Sequence, residues 1–340
     1  MPQLYELGPD DDGRRLDRIL RKLLTDHALG DIYALFRKRR VKLNGKRVAG
    51  KDRASAGDQL LIYDSELSQD HGKPVLSQEE SHKPKAPSMH VNHEAEVAPL
   101  VVFENADLLI LNKPRGVTAH GEHSLLPQIL SYLEYGRTAS LSFTPGPVHR
   151  LDRNTTGLIV YAKTLQGARR FSHLLQSRAL HKRYLAVLEG KLEQNVTWID
   201  VLHRDYRTHT SRGFTGASQA ASRAATQAES GTPENATAAE TTVTPLWSNG
   251  SATLALLEPK TGRTHQIRAQ AALHEHPLVG DRKYGAPAAP YPYILHAFEL
   301  DWKDPTPQRV LAPLPPEAAS QLSRLFGAQH INKLLGELGL

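Results

Sequence analysis

One short segment combines residue types that could carry out acid–base or nucleophilic chemistry. It covers residues 149–157 and reads His-Arg-Leu-Asp-Arg-Asn-Thr-Thr-Gly. Its single carboxylate, Asp152, stands between Arg150 and Arg153, and nearby positive charge favours the ionised form of a carboxyl group. The apolar residues 158–160 follow directly, as expected for a buried strand. The sequence therefore predicts an ionised carboxylate at the start of a strand, where it could act as a nucleophile or a general base.

The same segment resembles the H-R-L-D-x-x-T-S-G motif of the RluA-type pseudouridine synthases, enzymes that isomerise uridine in RNA. This chain has Thr156 where that family usually has serine, and both residues carry a hydroxyl group. A surface cluster of ion pairs at the start of a strand is the alternative interpretation of the motif alone, because short motifs also occur by chance. Four further segments match the same family in the expected order, at residues 111–121, 181–190, 259–268 and 276–285.

The resemblance implies catalytic roles for three residues. Asp152 corresponds to the catalytic carboxylate of the family, Tyr184 to the tyrosine that lies against the target base, and Arg268 to the arginine that pairs with the carboxylate. A strand tyrosine is otherwise more often a core residue. By strand alternation, Tyr184 should share one face with Ala186 and Leu188.

The segment around Arg268 should turn from a strand into a helix. The helix is expected to begin near Thr264, which would place His265 and Arg268 three residues apart on one side. Arg263 and His265 are therefore candidates for contacts with RNA. A surface arginine near the start of a helix is the alternative interpretation.

Two more candidates for RNA contact lie beside the predicted site. Arg150 neighbours the carboxylate, and the resemblance implies that it helps to fill the space that a flipped-out uridine leaves. His120 belongs to the 111–121 segment, which is expected to form a loop at the border of the cleft. In the simpler interpretation, the proline and glycine of that segment are ordinary turn residues.

Basic residues are concentrated near the N-terminus. Between Arg14 and Arg53 the sequence has fourteen lysines or arginines and four acidic residues. Two short helical patterns and a hairpin with Asn-Gly at its turn resemble the S4 RNA-binding module. A solvated basic helix face is the alternative, and it is the usual explanation of a run of charge. The candidate RNA-binding residues of this region are Arg18, Arg37, Lys38, Arg39, Arg40, Lys42 and Lys46.

Changes of composition divide the chain into two domains. Residues 1–64 are predicted to form the small α/β S4-like domain, and the polar residues 65–98 a flexible linker. Residues 99–340 are predicted to form the pseudouridine synthase catalytic domain, an α+β fold on a mixed or antiparallel sheet. The segment from about 208 to 242 is rich in Ala, Ser and Thr, which predicts a disordered surface insertion between two strands.

The overall composition is compatible with the RNA substrate that the resemblance implies. The 340 residues carry a formal net charge of +6, which suits a polyanionic partner, and none of them is cysteine. Disulfides, thiolate catalysis and cysteine-ligated zinc are therefore excluded. No metal-ligand spacing or nucleotide-binding glycine loop is present, so neither a metal nor another cofactor is expected. The sequence shows no secretory signal and no apolar run long enough for a bilayer, which predicts a cytoplasmic monomer without a membrane partner.

These features together predict an RNA pseudouridine synthase that acts on 23S ribosomal RNA or a large-subunit precursor. One alternative is a synthase that acts on transfer RNA; another is a catalytically silent RNA-binding or ribosome-assembly protein. A metal-dependent RNA hydrolase is the third, and the absence of paired acidic or histidine motifs argues against it. Asp152 alone stands in a strong motif, whereas glycosidases use two carboxylates, so isomerisation is favoured over hydrolysis. Whether Asp152 attacks the ribose C1′ or the base stays open.

Overall fold

The chain forms two β-sheets, and helices pack against each of them. The computed structural model describes residues 2–63, 97–119, 124–133, 141, 143–205, 210–214, 236–303 and 308–340. Within these ranges, none of the helices has the length and apolar character that a membrane crossing requires.

The N-terminal unit is an antiparallel sheet of four strands packed against two helices. Its elements are β1 (Gln3–Glu6), α1 (Leu16–Leu23), α2 (Leu29–Arg37), β2 (Val41–Leu43), β3 (Lys46–Arg47) and β4 (Gln59–Ile62). The strands lie in the order β1-β4-β2-β3. Helix α1 buries Leu16, Ile19 and Leu20, whose spacing predicted a helix. The predicted hairpin is present, with Asn44 and Gly45 at positive φ in its turn.

The second unit is built on one large sheet. Its strands are β5 (Val101–Glu104), β6 (Leu108–Lys113), β7 (Gly146–Pro147), β8 (Thr156–Ala162), β9 (His181–Glu189), β10 (Val196–Asp205), β11 (Thr210–Phe214), β12 (Thr237–Ser248), β13 (Ala252–Pro259), β14 (Leu295–Trp302) and β15 (Gln308–Leu311). Its helices within the described ranges are α3 (Leu126–Tyr132), α4 (Leu165–Gln176), α5 (Gln266–Leu273), α6 (Pro316–Phe326) and α7 (Ala328–Leu338).

The strand order of the large sheet confirms the predicted α+β fold with a mixed sheet. The order is β11-β10-β12-β13-β9-β14-β8-β6-β5, with β15 on β14 and β7 on β8. Among the described strands, β8 and β14 are the one parallel pair; the other pairs are antiparallel. Helices α3 and α5 pack on one face, and α4, α6 and α7 pack on the other.

Strand alternation on β9 is as predicted. Tyr184, Ala186 and Leu188 belong to the core on the α5 face. Leu185 and Val187 belong to the core formed with α6 and α7. The α5 face of β9 therefore carries the tyrosine of the predicted site.

Two of the predicted domain boundaries need correction. The insertion was expected to span residues 208–242, but residues 210–214 and 237–242 lie in β11 and β12, which both pair with β10. The predicted linker 65–98 lies outside the described residues except at its end, where Val97 is fully buried in the core of the second unit. The second unit thus begins two residues earlier than predicted, and the rest of the predicted insertion lies outside the described residues except for residue 236.

Gly157 is required where β8 begins its parallel pairing with β14. Its φ is +103°, a conformation that residues with a side chain rarely adopt. A Cβ atom added at this position would collide with the backbone carbonyl of Ala297. The register aligns Gly157 with Ala297, so the close approach is part of the pairing itself.

Gly157→Ala should therefore lower the free energy of unfolding by about 4 kcal/mol, because it adds backbone strain and a steric clash. Gly250→Ala is the matched control, since Gly250 has a φ of +90° but open space where a Cβ atom would lie. The control should lose only about 1 kcal/mol. Chemical denaturation of both variants measures the difference, and equal losses would contradict the clash.

Candidate active site

A cavity of about 350 Å³ opens where three segments of the second unit meet. The segments are the loop before β8, the first residues of β9 and the turn between β13 and α5. Asp152, Tyr184 and Arg268 all line the cavity, so the three residues predicted to be catalytic lie together. Its volume is in the range typical of small-molecule sites. The predicted RNA-binding residues that line the same cavity are Arg150, Arg263 and His265.

Arg268 faces two carboxylates from the wall of the cavity. Its Nε and Nη2 donate to Oδ2 and Oδ1 of Asp281 at 2.6 and 2.7 Å, and its Nη1 lies 3.6 Å from Oδ2 of Asp152. The guanidinium carbon lies 4.8 Å from the ring centre of Tyr284 and 4.7 Å from that of Tyr293. Burial alone would lower the pKa of Arg268, but the hydrogen bonds and charge of Asp281, with Tyr293 and Asp152, raise it. Arg268 is therefore a fixed, permanently charged partner for Asp152.

Asp152 lies in the turn between β7 and β8, with its side chain 16% exposed to the cavity. The Thr155 amide donates to the Asp152 carbonyl at 3.1 Å and closes this turn. Arg153 follows Asp152 directly, and its Nε donates to the Gly116 carbonyl at 2.8 Å. The cation that faces Asp152 is Arg268, which comes from a distant part of the chain.

His265 approaches the other oxygen of the same carboxylate. Its Nε2 lies 3.9 Å from Oδ1 of Asp152, and its Nδ1 lies 2.8 Å from the Tyr284 hydroxyl. That hydroxyl also accepts a hydrogen bond from the Ser211 amide at 2.9 Å. Burial lowers the pKa of His265, although the charge of Asp152 opposes the shift. A neutral imidazole at pH 7 follows, positioned through Tyr284 by strand β11.

Tyr184 forms part of the buried wall opposite this cluster. The residue is 8% exposed and belongs to the core on the α5 face. Burial raises the pKa of its phenol, and the charge of Asp152 raises it further. Tyr184 is thus neutral over the physiological pH range, with an aromatic ring and a hydroxyl available to the cavity.

Lys113 joins the 111–121 segment to the turn that carries Asp152. The side chain is fully buried, and its Nζ donates to the carbonyls of Pro114, Val117 and Arg153 at 2.9, 2.9 and 3.1 Å. Burial lowers the pKa of Lys113 to about 8, against the opposing charge of Asp152. The ammonium group therefore ties the backbone of the 114–117 loop to the turn that carries Asp152.

Thr156 shows why a hydroxyl group is needed at this motif position. His296 Nε2 lies 3.1 Å from the Ala312 carbonyl and must donate to it, so its Nδ1 accepts from the Thr156 hydroxyl at 2.8 Å. Burial lowers the pKa of His296 to about 4, which keeps the ring neutral for both bonds. The serine-to-threonine departure from the family pattern thus keeps the interaction that the hydroxyl makes.

The remaining predicted residues lie elsewhere. His120 is outside the described residues. The helix expected to begin near Thr264 begins at Gln266, because His265 adopts the left-handed conformation with a φ of +53°. The N-terminal candidates belong to the small sheet unit and do not line the cavity, namely Arg18, Arg37, Lys38, Arg39, Arg40, Lys42 and Lys46.

Asp281 is the main residue of the site that sequence reasoning missed. It stands in the 276–285 segment, which resembles the family but supplied none of the candidate residues named from the sequence. Asp281 is 2% exposed and makes the shortest contacts of Arg268. The glycine before it, Gly280, was the available signal of a tightly constrained turn, and its φ is +82°.

Asp281→Asn should lower the predicted conversion of uridine about 100-fold, because Arg268 loses half of its positioning contact. The loss of one charge from a buried pair should also lower the free energy of unfolding by about 3 kcal/mol. Asp200→Asn is the matched control, since Asp200 is fully buried behind α5, where it contacts Gln270 at 2.7 Å and His274 at 3.1 Å. The control should lose stability without a comparable loss of turnover, measured at a temperature where both variants are folded. Equal turnover in the two variants would contradict the positioning role of Asp281.

Comparison with known proteins extends the resemblance beyond the motifs. Residues 107–273 match the family described as RNA pseudouridylate synthase. The chain is 28% identical over 285 residues to ribosomal large subunit pseudouridine synthase C of Vibrio vulnificus (strain CMCP6), which is 83% of this chain and 80% of that protein. It is 29% identical over 283 residues to the protein of the same name from Escherichia coli (strain K12), with the same shares of each chain.

A solved structure supports the fold. The structure of human RNA pseudouridylate synthase domain containing 4 superposes with a TM-score of 0.53 at 23% identity, over 68% of this chain and 95% of that one. This likeness concerns the architecture alone. Together with the relatives, the family match shows that residues 107–273 form an RNA pseudouridylate synthase domain.

Proposed function

We propose that this protein isomerises uridine to pseudouridine in RNA of the large ribosomal subunit, with Asp152 as the catalytic carboxylate. The observation that carries the proposal is the setting of Asp152. It is the sole acidic residue among the described residues that line the cavity, and a fixed guanidinium faces it at 3.6 Å. A single oriented carboxylate supports isomerisation rather than hydrolysis, because glycosidases pair two carboxylates across the bond.

The chemistry requires one carboxylate and no external reactant. The bond between ribose C1′ and base N1 breaks, the base rotates, and C1′ bonds to C5. The hydrogen on C5 is lost and N1 gains one, so the product has the composition of the substrate. Asp152 would act as a nucleophile or stabilise positive charge at the reacting carbon, and Arg268 would hold the carboxylate in place. The position of Asp152 in the cavity is compatible with attack on the ribose and with attack on the base.

Tyr184 and Arg150 suit a substrate that has left its base stack. A uridine must be extruded before any side chain reaches it. The buried phenol of Tyr184 offers an aromatic face for the base, and the exposed Arg150 lies at the rim beside Asp152. We assign Arg150 to the space vacated by the base, and Arg263 and His265 to contacts with the RNA around it.

We infer the substrate RNA from the named relatives, because the cavity itself does not distinguish one class of RNA from another. Both bacterial relatives are named for the large ribosomal subunit, which supports 23S ribosomal RNA or its precursor as the substrate. We further propose that the N-terminal unit is an S4-like RNA-binding domain and that the protein acts as a cytoplasmic monomer. A synthase acting on transfer RNA and a catalytically silent RNA-binding protein are the competing functions.

Pseudouridine mapping in ribosomal and transfer RNA tests this function directly. Cells that lack the protein should lose pseudouridine at one or a few positions of 23S ribosomal RNA. Wild-type protein should restore them, whereas Asp152→Asn should not, because the amide cannot supply the negative charge. The purified variant should still bind RNA.

Each alternative has its own result in this experiment. Sites lost from transfer RNA alone would assign the substrate to that class. Full restoration by Asp152→Asn would remove the carboxylate from the mechanism. An unchanged map in both RNA classes would favour the silent RNA-binding protein.

The S4-like assignment predicts that the N-terminal basic residues meet phosphates. Replacing Arg37 and Lys38 with glutamine should reduce the slope of log K against log salt by about 1.5, since each phosphate contact contributes slightly less than one unit. The matched control replaces Arg324 and Lys333, two exposed residues of the C-terminal helices, and should leave the slope unchanged. Binding to deproteinised large-subunit RNA at several salt concentrations gives both slopes. Equal slopes for the two double variants would contradict an RNA-binding role for this surface.

A further inference from the structure

Lys182 lies at the boundary between the catalytic cavity and a smaller neighbour. The second cavity has a volume of about 30 Å³ and is lined by Arg178, His181 and Glu258, among others. The residues that line both cavities are Leu175, Lys182, Pro259 and Lys260. Lys182 therefore borders the space around Asp152 and the basic recess beside it.

The ammonium group of Lys182 has no counter-ion among the described residues. Its side chain makes no ion pair or hydrogen bond with any of them, and burial alone lowers its pKa. Lys113 differs, because three backbone carbonyls surround its ammonium group. Lys260 differs too, since it lies 3.6 Å from Glu258. Burying an unpaired cation raises the free energy of the folded protein unless an anion binds to it.

The nearby carboxylates are already committed to other cations. Glu258 accepts a hydrogen bond from Arg183 at 2.5 Å, and Glu299 accepts one from the same guanidinium at 2.6 Å. Asp152 faces Arg268 and His265. The described part of the chain therefore leaves Lys182 open to an anion that enters the cavity with a ligand.

The position of Lys182 on its strand indicates which anion. Lys182 and Tyr184 are two residues apart on β9 and line the same cavity. This spacing separates their Cα atoms by roughly 7 Å. In a nucleotide, the ribose separates the base from its phosphates by a similar span. A base placed on Tyr184 would bring one of its own phosphates to the Lys182 ammonium group.

We propose that Lys182 binds a backbone phosphate of the nucleotide that enters the catalytic cavity, with Arg178 and Lys260 adding positive charge on the side of the second cavity. The position of the base rests on the proposed function. The contact anchors the target nucleotide by its charge, independently of which base it carries, and leaves the uracil ring free to rotate.

Binding of two small probes tests the phosphate site without any RNA. Uridine 3′,5′-bisphosphate should bind the wild-type protein about fivefold more tightly than uridine, as one close charge pair in a partly aqueous cleft allows. In Lys182→Met most of this preference should be lost, while Lys182→Arg should keep it. Lys191→Met is the matched control, because Lys191 is exposed beyond the far end of β9 and pairs with Glu193 at 2.7 Å. Isothermal titration of the four proteins gives the ratios.

The results separate this inference from the proposed function. A wild-type protein that binds the bisphosphate no more tightly than uridine, or not at all, would overturn the phosphate site. A preference that is undiminished in Lys182→Met would overturn it as well. If the preference depends on Lys182 but cellular RNA loses no pseudouridine, the phosphate site stands and the isomerase function fails. Melting temperatures close to wild type are expected for Lys182→Met, since the change removes an unpaired buried charge.

Discussion

The geometry of the candidate catalytic cavity depends on one guanidinium group that faces two carboxylates. Removing Arg268 from water costs several kcal/mol unless its donors are satisfied. Asp281 takes two of them in a bidentate pair, and two tyrosine rings cover the planar faces. The remaining nitrogen is turned toward Asp152. The fold therefore fixes the electrostatic field at the Asp152 carboxylate before any substrate binds. Such an arrangement is called electrostatic preorganisation.

Three separate segments of the second unit bring Arg268 and the two carboxylates together. Helix α5 supplies Arg268, the turn after residue 278 supplies Asp281, and the turn before β8 supplies Asp152. Each of these segments is held by its own hydrogen bonds. Gln270 donates to carbonyls of β10 and β12, the Asp281 amide donates to the Leu278 carbonyl, and Lys113 donates to the Arg153 carbonyl of the carboxylate turn. The strands between these segments are close-packed and apolar. A displacement of one segment is therefore transmitted through the sheet to the other two.

Much of this could be predicted from the sequence, because the strongest signals were local. The strand that follows Asp152, the alternation around Tyr184 and the helical spacing in α1 each depend on neighbours along the chain, and each matched the structure. Asp281 was missed because its partner is decided by tertiary packing. Residues 237–242 were misjudged because alanine and threonine suggested disorder, although alternate positions of β12 are buried.

The bond between Thr156 and His296 joins residues that are 140 positions apart in the sequence. The imidazole in turn needs the carbonyl of Ala312 to fix its tautomer. Contacts of such long range make folding slow, because the intervening chain must close before they form. During synthesis, the turn with Asp152 emerges from the ribosome well before Ala312, whose carbonyl completes its support. The candidate site is thus assembled late, and a chain that stalls before residue 312 has the motif without the site.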